Sequence, residues 1–311
     1  MSQQGNSAVA NILPRERQFA VLHQLVEGSS IRATERITGV HRDTICRLLV
    51  RFGDACRQWL DVQMQGITVE HLEIDEMWTY VGKKQGRLTV DEKQERWDAG
   101  DIYLWTAIDQ RTKLVPTFAL GKRSADNARR FMVDIASRLP RQSPHASDAH
   151  AYQPAGYLQT VQISTDGFAA YPEAVDLAFG PYARHGVLIK QYRNANREYT
   201  PSEMVGTDRR PITGGVTPWS ICTSHIERHN LTVRTFMKRF VRLTLCFSKK
   251  LENLAAATAM YLAYYNYCWQ TRKPGKSGQK RPTAAMAAKL TGHVWSFAEL
   301  FETVMPAKVA A

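Results

Sequence analysis

Cysteine is scarce and scattered. Cys46, Cys56, Cys222, Cys246 and Cys268 lie far apart with no C-x-x-C pair, which argues for reduced thiols and against a cysteine-rich zinc module. Cys222 and His225 have a ligand-like gap, but no second pair completes a tetrahedral site, so chance spacing is the expectation. No apolar run reaches the roughly 18 residues that a membrane span needs. The N-terminus, MSQQGNSAVANILPRERQ, lacks a cationic segment followed by an apolar core, so a cytoplasmic location is expected. No internal repeat is evident. Acids are the minority charge, with 29 Asp and Glu against 41 Lys and Arg in 311 residues.

The resulting net charge of +12 is concentrated. Residues 223–250 contribute +6, and residues 271–282 (TRKPGKSGQKRP) add five cations and no acid. A clustered excess of this kind favours a polyanionic partner, nucleic acid before membrane. At 100° per residue, 223–250 splits into two faces and is expected to form one long amphipathic helix. Val233, Phe236, Met237, Phe240, Leu243 and Phe247 line one side, and Glu227, Asn230, Arg234, Lys238 and Arg242 the other. Ser224 is a candidate N-cap, with Glu227 at the capping-box spacing.

The chain length accommodates one large domain and a smaller one. Residues 12–26 read as a first helix with Phe19, Leu22, Leu25 and Val26 on one face. Gly28 ends it, and Ser30 caps a short second helix whose Ala33 and Ile37 face inward. A turn at Gly39 leads to HRDTICRLLVRF, with Ile45, Leu48, Leu49 and Phe52 at helical spacing. Helix, short helix, turn, helix is the helix-turn-helix order, and Arg42, Thr44, Arg47 and Arg51 are its candidate DNA contacts. We therefore expect a DNA-binding module over 1–66, a catalytic core over 67–270 and a basic linker with a short helical tail over 271–311. HLEIDEMWTYVG alternates as a strand, with Glu73, Asp75 and Thr79 on one face. A charged loop, a hairpin around residues 109–112, a helix to Leu139 and a loop (PRQSPHASDAHAYQPAG) follow. Next come the strand VQIST, a helix and the strand GVLIKQY; residues 193–222 read as an irregular insertion. Three strands, helix, strand, helix, strand, then helices is the order of a ribonuclease-H-like α/β domain, the retroviral-integrase-like core.

On that frame Asp75 is central in the first strand. Asp166 lies just past the fourth strand, where open sheets place their sites, and Gly167 would admit a ligand close to the backbone. Glu227 sits on the first turn of the late helix. Three hard oxygen donors without thiols favour Mg²⁺ or Mn²⁺, and two such ions suit phosphodiester chemistry. Glu76 is the nearest rival to Asp75, but strand alternation turns it to the opposite face, so only one of the two is expected to join Asp166. Glu73 shares Asp75's face as a candidate support, and Asp109 is explained by a hairpin turn.

IDEMWTYVGKK, STDGFAAY and above all ERHNLTVRTFMKRFVRLTLCFSKKLEN resemble the transposases of bacterial insertion sequences, in the group typified by insertion sequence one. YYNYCW and the tail TAAMAAKLTGHVWSFAEL are also similar, so the resemblance spans roughly residues 30–305. It implies that Asp75, Asp166 and Glu227 form a DDE triad, both catalytic and metal-binding. It also implies that Asn230 and Arg234 continue an E-x-x-N-x-x-x-R helix, with Lys238 and Arg242 as further DNA contacts. The implied activity is hydrolysis at the 3′ ends of terminal inverted repeats and joining of those ends to target DNA. The implied setting is a homodimer or larger assembly on double-stranded DNA in the nucleoid. An inactive DNA-binding regulator and a structure-selective nuclease remain as alternatives. The chain departs from relatives in lacking an N-terminal cysteine-rich finger and in carrying His41 where a small capping residue is usual.

Overall fold

The computed structural model describes residues 12–140, 160–193, 203–273 and 275–307. Most of the expected loop at 140–156 therefore lies outside the described residues. In chain order the helices and strands begin with α1 (Arg15–Val26), α2 (Ile31–Thr38), α3 (Arg42–Gln63), β1 (His71–Val81) and α4 (Val90–Glu95). The middle of the chain holds β2 (Gly100–Asp109), β3 (Phe118–Gly121), α5 (Ala125–Arg138), β4 (Val161–Thr165), α6 (Tyr171–Phe179), β5 (Ala183–Arg193) and β6 (Glu203–Thr213). It closes with α7 (Ser224–Phe236), α8 (Leu251–Tyr267), α9 (Ala284–Ala287) and α10 (Phe297–Val304). No described helix is long and apolar enough to cross a membrane.

The strands form a six-stranded sheet in the order β3-β2-β1-β4-β5-β6. β1, β4 and β5 run parallel, β2 is antiparallel to β1, and β6 is antiparallel to β5. This mixed α/β architecture, with an antiparallel side and helices packed on the sheet, is consistent with the expected ribonuclease-H-like core. The turn after β2 is built as its sequence suggests: Asp109 Oδ2 accepts from Thr112 N at 2.8 Å and from Thr112 Oγ1 at 2.6 Å. The expected charged loop between β1 and β2 contains α4, held by a capping box between Thr89 and Glu92.

Residues 193–222 are not wholly irregular, because 203–213 form β6 and pair along β5. The strand EMVGTDRRPIT is exposed along most of its length, so neither of its faces carries an apolar alternation that would mark it as a strand. Its ladder bonds to β5 hold it in place.

The three N-terminal helices pack with the rest of the chain. α3 buries Ile45, Leu48, Leu49, Phe52, Cys56 and Leu60 in one hydrophobic core shared with the sheet, α8 and α10. At the α3–α8 crossing a Cβ on Gly53 would meet Ala256 O at 2.3 Å, so only glycine allows this approach. α2 ends at Gly39, whose φ of 66° closes the helix in the left-handed region. The start of α3 needs no small cap: His41 Nδ1 accepts from Asp43 N at 3.3 Å and Glu35 Oε1 from Arg42 N at 3.0 Å. α2 departs from expectation in one respect. Thr34 is its buried residue, whereas Ile37 is 62% exposed, because an eight-residue helix between two turns offers the core only one narrow stripe.

The basic segment 223–250 is not one helix. α7 stops at Phe236, a 3₁₀ turn follows at Lys238–Phe240, and the chain is irregular to Lys250. The cause is a competing attachment to the far end of β1. Gly82 N donates to Ser248 O at 2.9 Å, Val81 bridges to Ser248, and Thr79 Oγ1 donates to Arg239 O at 2.7 Å. Phe240 is buried as expected, but Leu243 is 92% exposed.

Candidate active site

β1 carries the site because it outruns its parallel neighbour. Its pairing with β4 ends at Glu73–Ser164, and Asp166 follows immediately after β4. The odd-numbered face of β1 receives α7. There the buried carboxylate of Glu73 takes the place expected for Ser224: its Oε2 accepts from His225 N at 2.8 Å and Ile226 N at 3.0 Å. A buried anion on the free N–H groups of a helix start is a charge-assisted cap, and it sets the first turn of α7 against the sheet. Thr223 is the formal N-cap, and its Oγ1 donates to Glu227 Oε1 at 2.5 Å. The expected capping box between Ser224 and Glu227 is therefore absent, and Glu227 turns outward.

A cleft of about 520 Å³ opens here, lined by Asp75, Glu76, Asp166, Lys190, Glu227 and Arg234 among others. Asp75 projects toward α7, and Asn230 Nδ2 donates to its Oδ2 at 2.8 Å. Asp166 uses Oδ1 to accept from Phe168 N at 2.9 Å, closing its own turn, and offers Oδ2 to Arg123 Nη2 at 3.0 Å. Glu227 is ion-paired with Lys190. Asp75, Asp166 and Glu227 thus line one cleft. The tightest group is a different one: ligand atoms of Asp75, Glu76 and Asp166 lie within 4.8 Å of one another.

Glu76 corrects the expectation that only one of the adjacent acids could reach Asp166. Alternation does put Asp75 and Glu76 on opposite faces. Asp166, however, lies beyond the end of β4, where no strand stands between the faces, so both carboxyls approach it. Burial and the neighbouring Asp166 raise the carboxyl of Asp75 to about 6 and that of Glu76 to about 8.

The other anticipated residues are placed as follows. Asn230 is only 4% exposed, and its side-chain amide donates to Asp75. Arg234 lines the cleft and its Nε has no partner. Lys238 and Arg242 are exposed, but they follow the end of α7 and do not continue its face. Arg242 still lies close enough to Arg234 to repel its charge. On α3, Arg42, Arg47 and Arg51 are exposed and Thr44 is half-buried; Arg47 donates to Thr44 Oγ1 and Arg51 to Gln18 Oε1. At Gly167 an added Cβ would meet only Ile189 Cγ1, at an ordinary 3.5 Å.

Arg123 and Lys190 were not anticipated. Neither shows a motif; only the fold brings the start of α5 and the middle of β5 to the acids. Cys222 and His225 do meet around Glu73, but the partners are already engaged: His225 Nδ1 lies 2.6 Å from Glu73 Oε1 and Cys222 Sγ is 3.0 Å from Ser224 Oγ. A second concavity, of about 470 Å³ between α3 and α5, contains an ion network in which Arg138 bonds both Asp61 and Asp134.

Comparison with known proteins follows the same residues. Residues 215–268, which include Glu227, Asn230 and Arg234, match the IS1 transposase family. The chain is also similar to the insertion element iso-IS1n protein InsB of Shigella dysenteriae. The two are 23% identical over 180 residues, covering 58% of this chain and 84% of that protein. Both findings support the resemblance drawn from the sequence: over these residues the chain is similar to IS1-type transposases.

Proposed function

We propose that the protein is a DNA transposase that binds the terminal inverted repeats of its element, hydrolyses phosphodiester bonds at their 3′ ends and joins those ends to target DNA. The observation that carries this reading is the arrival of Asp75, Asp166 and Glu227 in one cleft from three segments far apart in the chain. Structural carboxylates are usually paired and spread; a desolvated carboxyl such as Asp75, whose proton affinity is raised by burial and by Asp166, set in a cleft with further acids, is a functional-site signature.

Asp75, Asp166 and Glu227 are assigned the catalytic, metal-holding role. Their donor set is oxygen alone, which fits Mg²⁺ or Mn²⁺. Two such ions, held by these carboxylates, would supply the charge needed to activate an attacking water or 3′-hydroxyl and to stabilise the leaving oxygen. The chain's own groups do the positioning. Asn230 holds Asp75, Glu73 anchors the helix that carries Glu227, and Thr223 with Lys190 fixes the Glu227 carboxylate. Arg234, with an unpartnered nitrogen in the cleft, is assigned to a DNA phosphate. One cleft serves both steps, because only the nucleophile changes between them. Residues 1–66 are assigned to end recognition through a helix-turn-helix, with Arg42, Thr44, Arg47 and Arg51 facing DNA. Holding two element ends together implies a homodimer or larger assembly.

The test is a strand-transfer reaction with protein, Mg²⁺, labelled element ends and a plasmid. Labelled ends covalently joined to the plasmid are expected, with none in excess chelator. Cleaved ends that never join would reduce the protein to a nuclease, and ends bound but uncut would favour a regulator.

A further inference from the structure

Glu76 is the acid to which the triad gives no role. Its side chain is 1% exposed, and its Oε1 is buried with no partner at hydrogen-bond distance, although the Tyr171 hydroxyl stands close enough to interact with the carboxyl. A buried carboxylate oxygen left unbonded is unfavourable unless something binds it. The cation at hand does not suffice. Arg123 lies with its guanidinium 4.3 Å from the centre of the Phe168 ring and donates to Asp166 at 3.0 Å. Its Nε stays 3.7 Å from Glu76 Oε1, beyond a normal hydrogen bond. The oxygens of Asp75, Glu76 and Asp166, all within 4.8 Å, are close enough for a small divalent ion at about 2.1 Å from each to gather them with little movement.

We propose that Glu76 is a ligand of the divalent ion shared by Asp75 and Asp166, and that Arg123 is the resident cation which that ion displaces. The proposal rests on the reading of Asp75 and Asp166 as an ion site. It assigns the orphaned oxygen a partner, and it explains why an arginine half-open to solvent is laid across two acids. A purely structural role would leave that Oε1 without a hydrogen-bond partner.

The test is Mn²⁺ binding to the full chain without DNA, read from the electron paramagnetic resonance signal of free Mn²⁺. Glu76→Gln should weaken binding tenfold or more, with a melting temperature in the absence of metal that is unchanged or higher, since one of three clustered acids is gone. Arg123→Gln should tighten binding several-fold, because the competing cation has been removed. Asp75→Asn reports on the underlying ion site. If Asp75→Asn weakens binding and Glu76→Gln does not, the inference is overturned and the ion site stands. If neither changes binding, both are overturned. Should Glu76→Gln fail to fold, Arg123→Gln decides, and an unchanged or weaker affinity overturns the inference.

Discussion

α3 and the basic segment after residue 223 invite the same expectation from sequence, and only one of them meets it. Both show apolar residues at intervals of three and four with cations on the other face. α3 runs unbroken for 22 residues, whereas α7 stops after 13. Propensity does not separate them; support does. α3 buries residues from Ile45 to Leu60 in the core it shares with α8 and α10 and closes on α8 at Gly53, so each turn buries something. Beyond Phe236 the second segment meets the open end of β1, where backbone bonds from Gly82 and to Ser248 compete with helix continuation. Periodicity announces a helix only as far as another element runs beside it.

The largest expected effect tests whether the supported part of α7 holds the chemistry. Glu227→Gln preserves size and the contact with Thr223 while removing the charge. Strand transfer should fall by several orders of magnitude, with end binding and thermal stability retained. A variant joining ends at the parental rate would remove Glu227 from the catalytic set.

Next in size is a pair within the irregular stretch. Phe240 is 1% exposed, and Phe240→Ala should lower unfolding free energy by about 3–5 kcal/mol. Leu243→Ala, three residues on but solvent-exposed, should stay within about 0.5 kcal/mol. Equal costs in chemical denaturation would mean that the segment packs as the continuous helix first expected.

A pH titration then sharpens the contrast between the site and the α3 bundle. Asp75 and Glu76 hold protons more tightly folded than unfolded. The folded state therefore binds more protons between the ordinary carboxylate range and about pH 8. Metal-free protein should lose stability as pH rises through that window, by a few kcal/mol at most, and level off above it. Saturating Mg²⁺ should flatten or reverse the slope. Melting curves from pH 5 to 9 with and without Mg²⁺ check this, and a metal-free stability that climbs with pH would contradict the clustered-acid description.

The smallest effect belongs to the surface of α3. Replacing Arg47 and Arg51 with Ala should leave the fold intact and weaken binding to element ends by about 1–3 kcal/mol for any arginine that reads a base. For any that meets a phosphate instead, the salt slope should fall by about one. Unchanged end affinity in fluorescence anisotropy would place recognition elsewhere.

Much of the frame was legible because it is local. Alternation marked β1, helical spacing marked α3, and the Asp109–Thr112 turn needed only its own four residues. β6 was illegible because a strand exposed along most of its length carries no hydrophobic alternation. Glu76 was misjudged for a sharper reason. Alternation is a rule about one strand, and it correctly put Asp75 and Glu76 on opposite faces. It cannot register that β4 ends early and leaves Asp166 within reach of both. Asn230 was likewise identified as part of the site, but its burial against Asp75 depends on how α7 crosses β1.

By itself, then, the sequence determined the residue types and their order along the chain: a basic, thiol-poor protein with Asp75, Asp166 and Glu227 set on a strand, a strand end and a helix start. Those follow from period, charge and turn chemistry, which act over a few residues. Only the tertiary structure decided that Glu73 would cap α7, that Arg123 and Lys190 would lie on the acids, and that Glu76 would enter the cluster with an oxygen to spare. These depend on where one element ends relative to its neighbour, and long-range pairing geometry of that kind has no signature in the local pattern of either element.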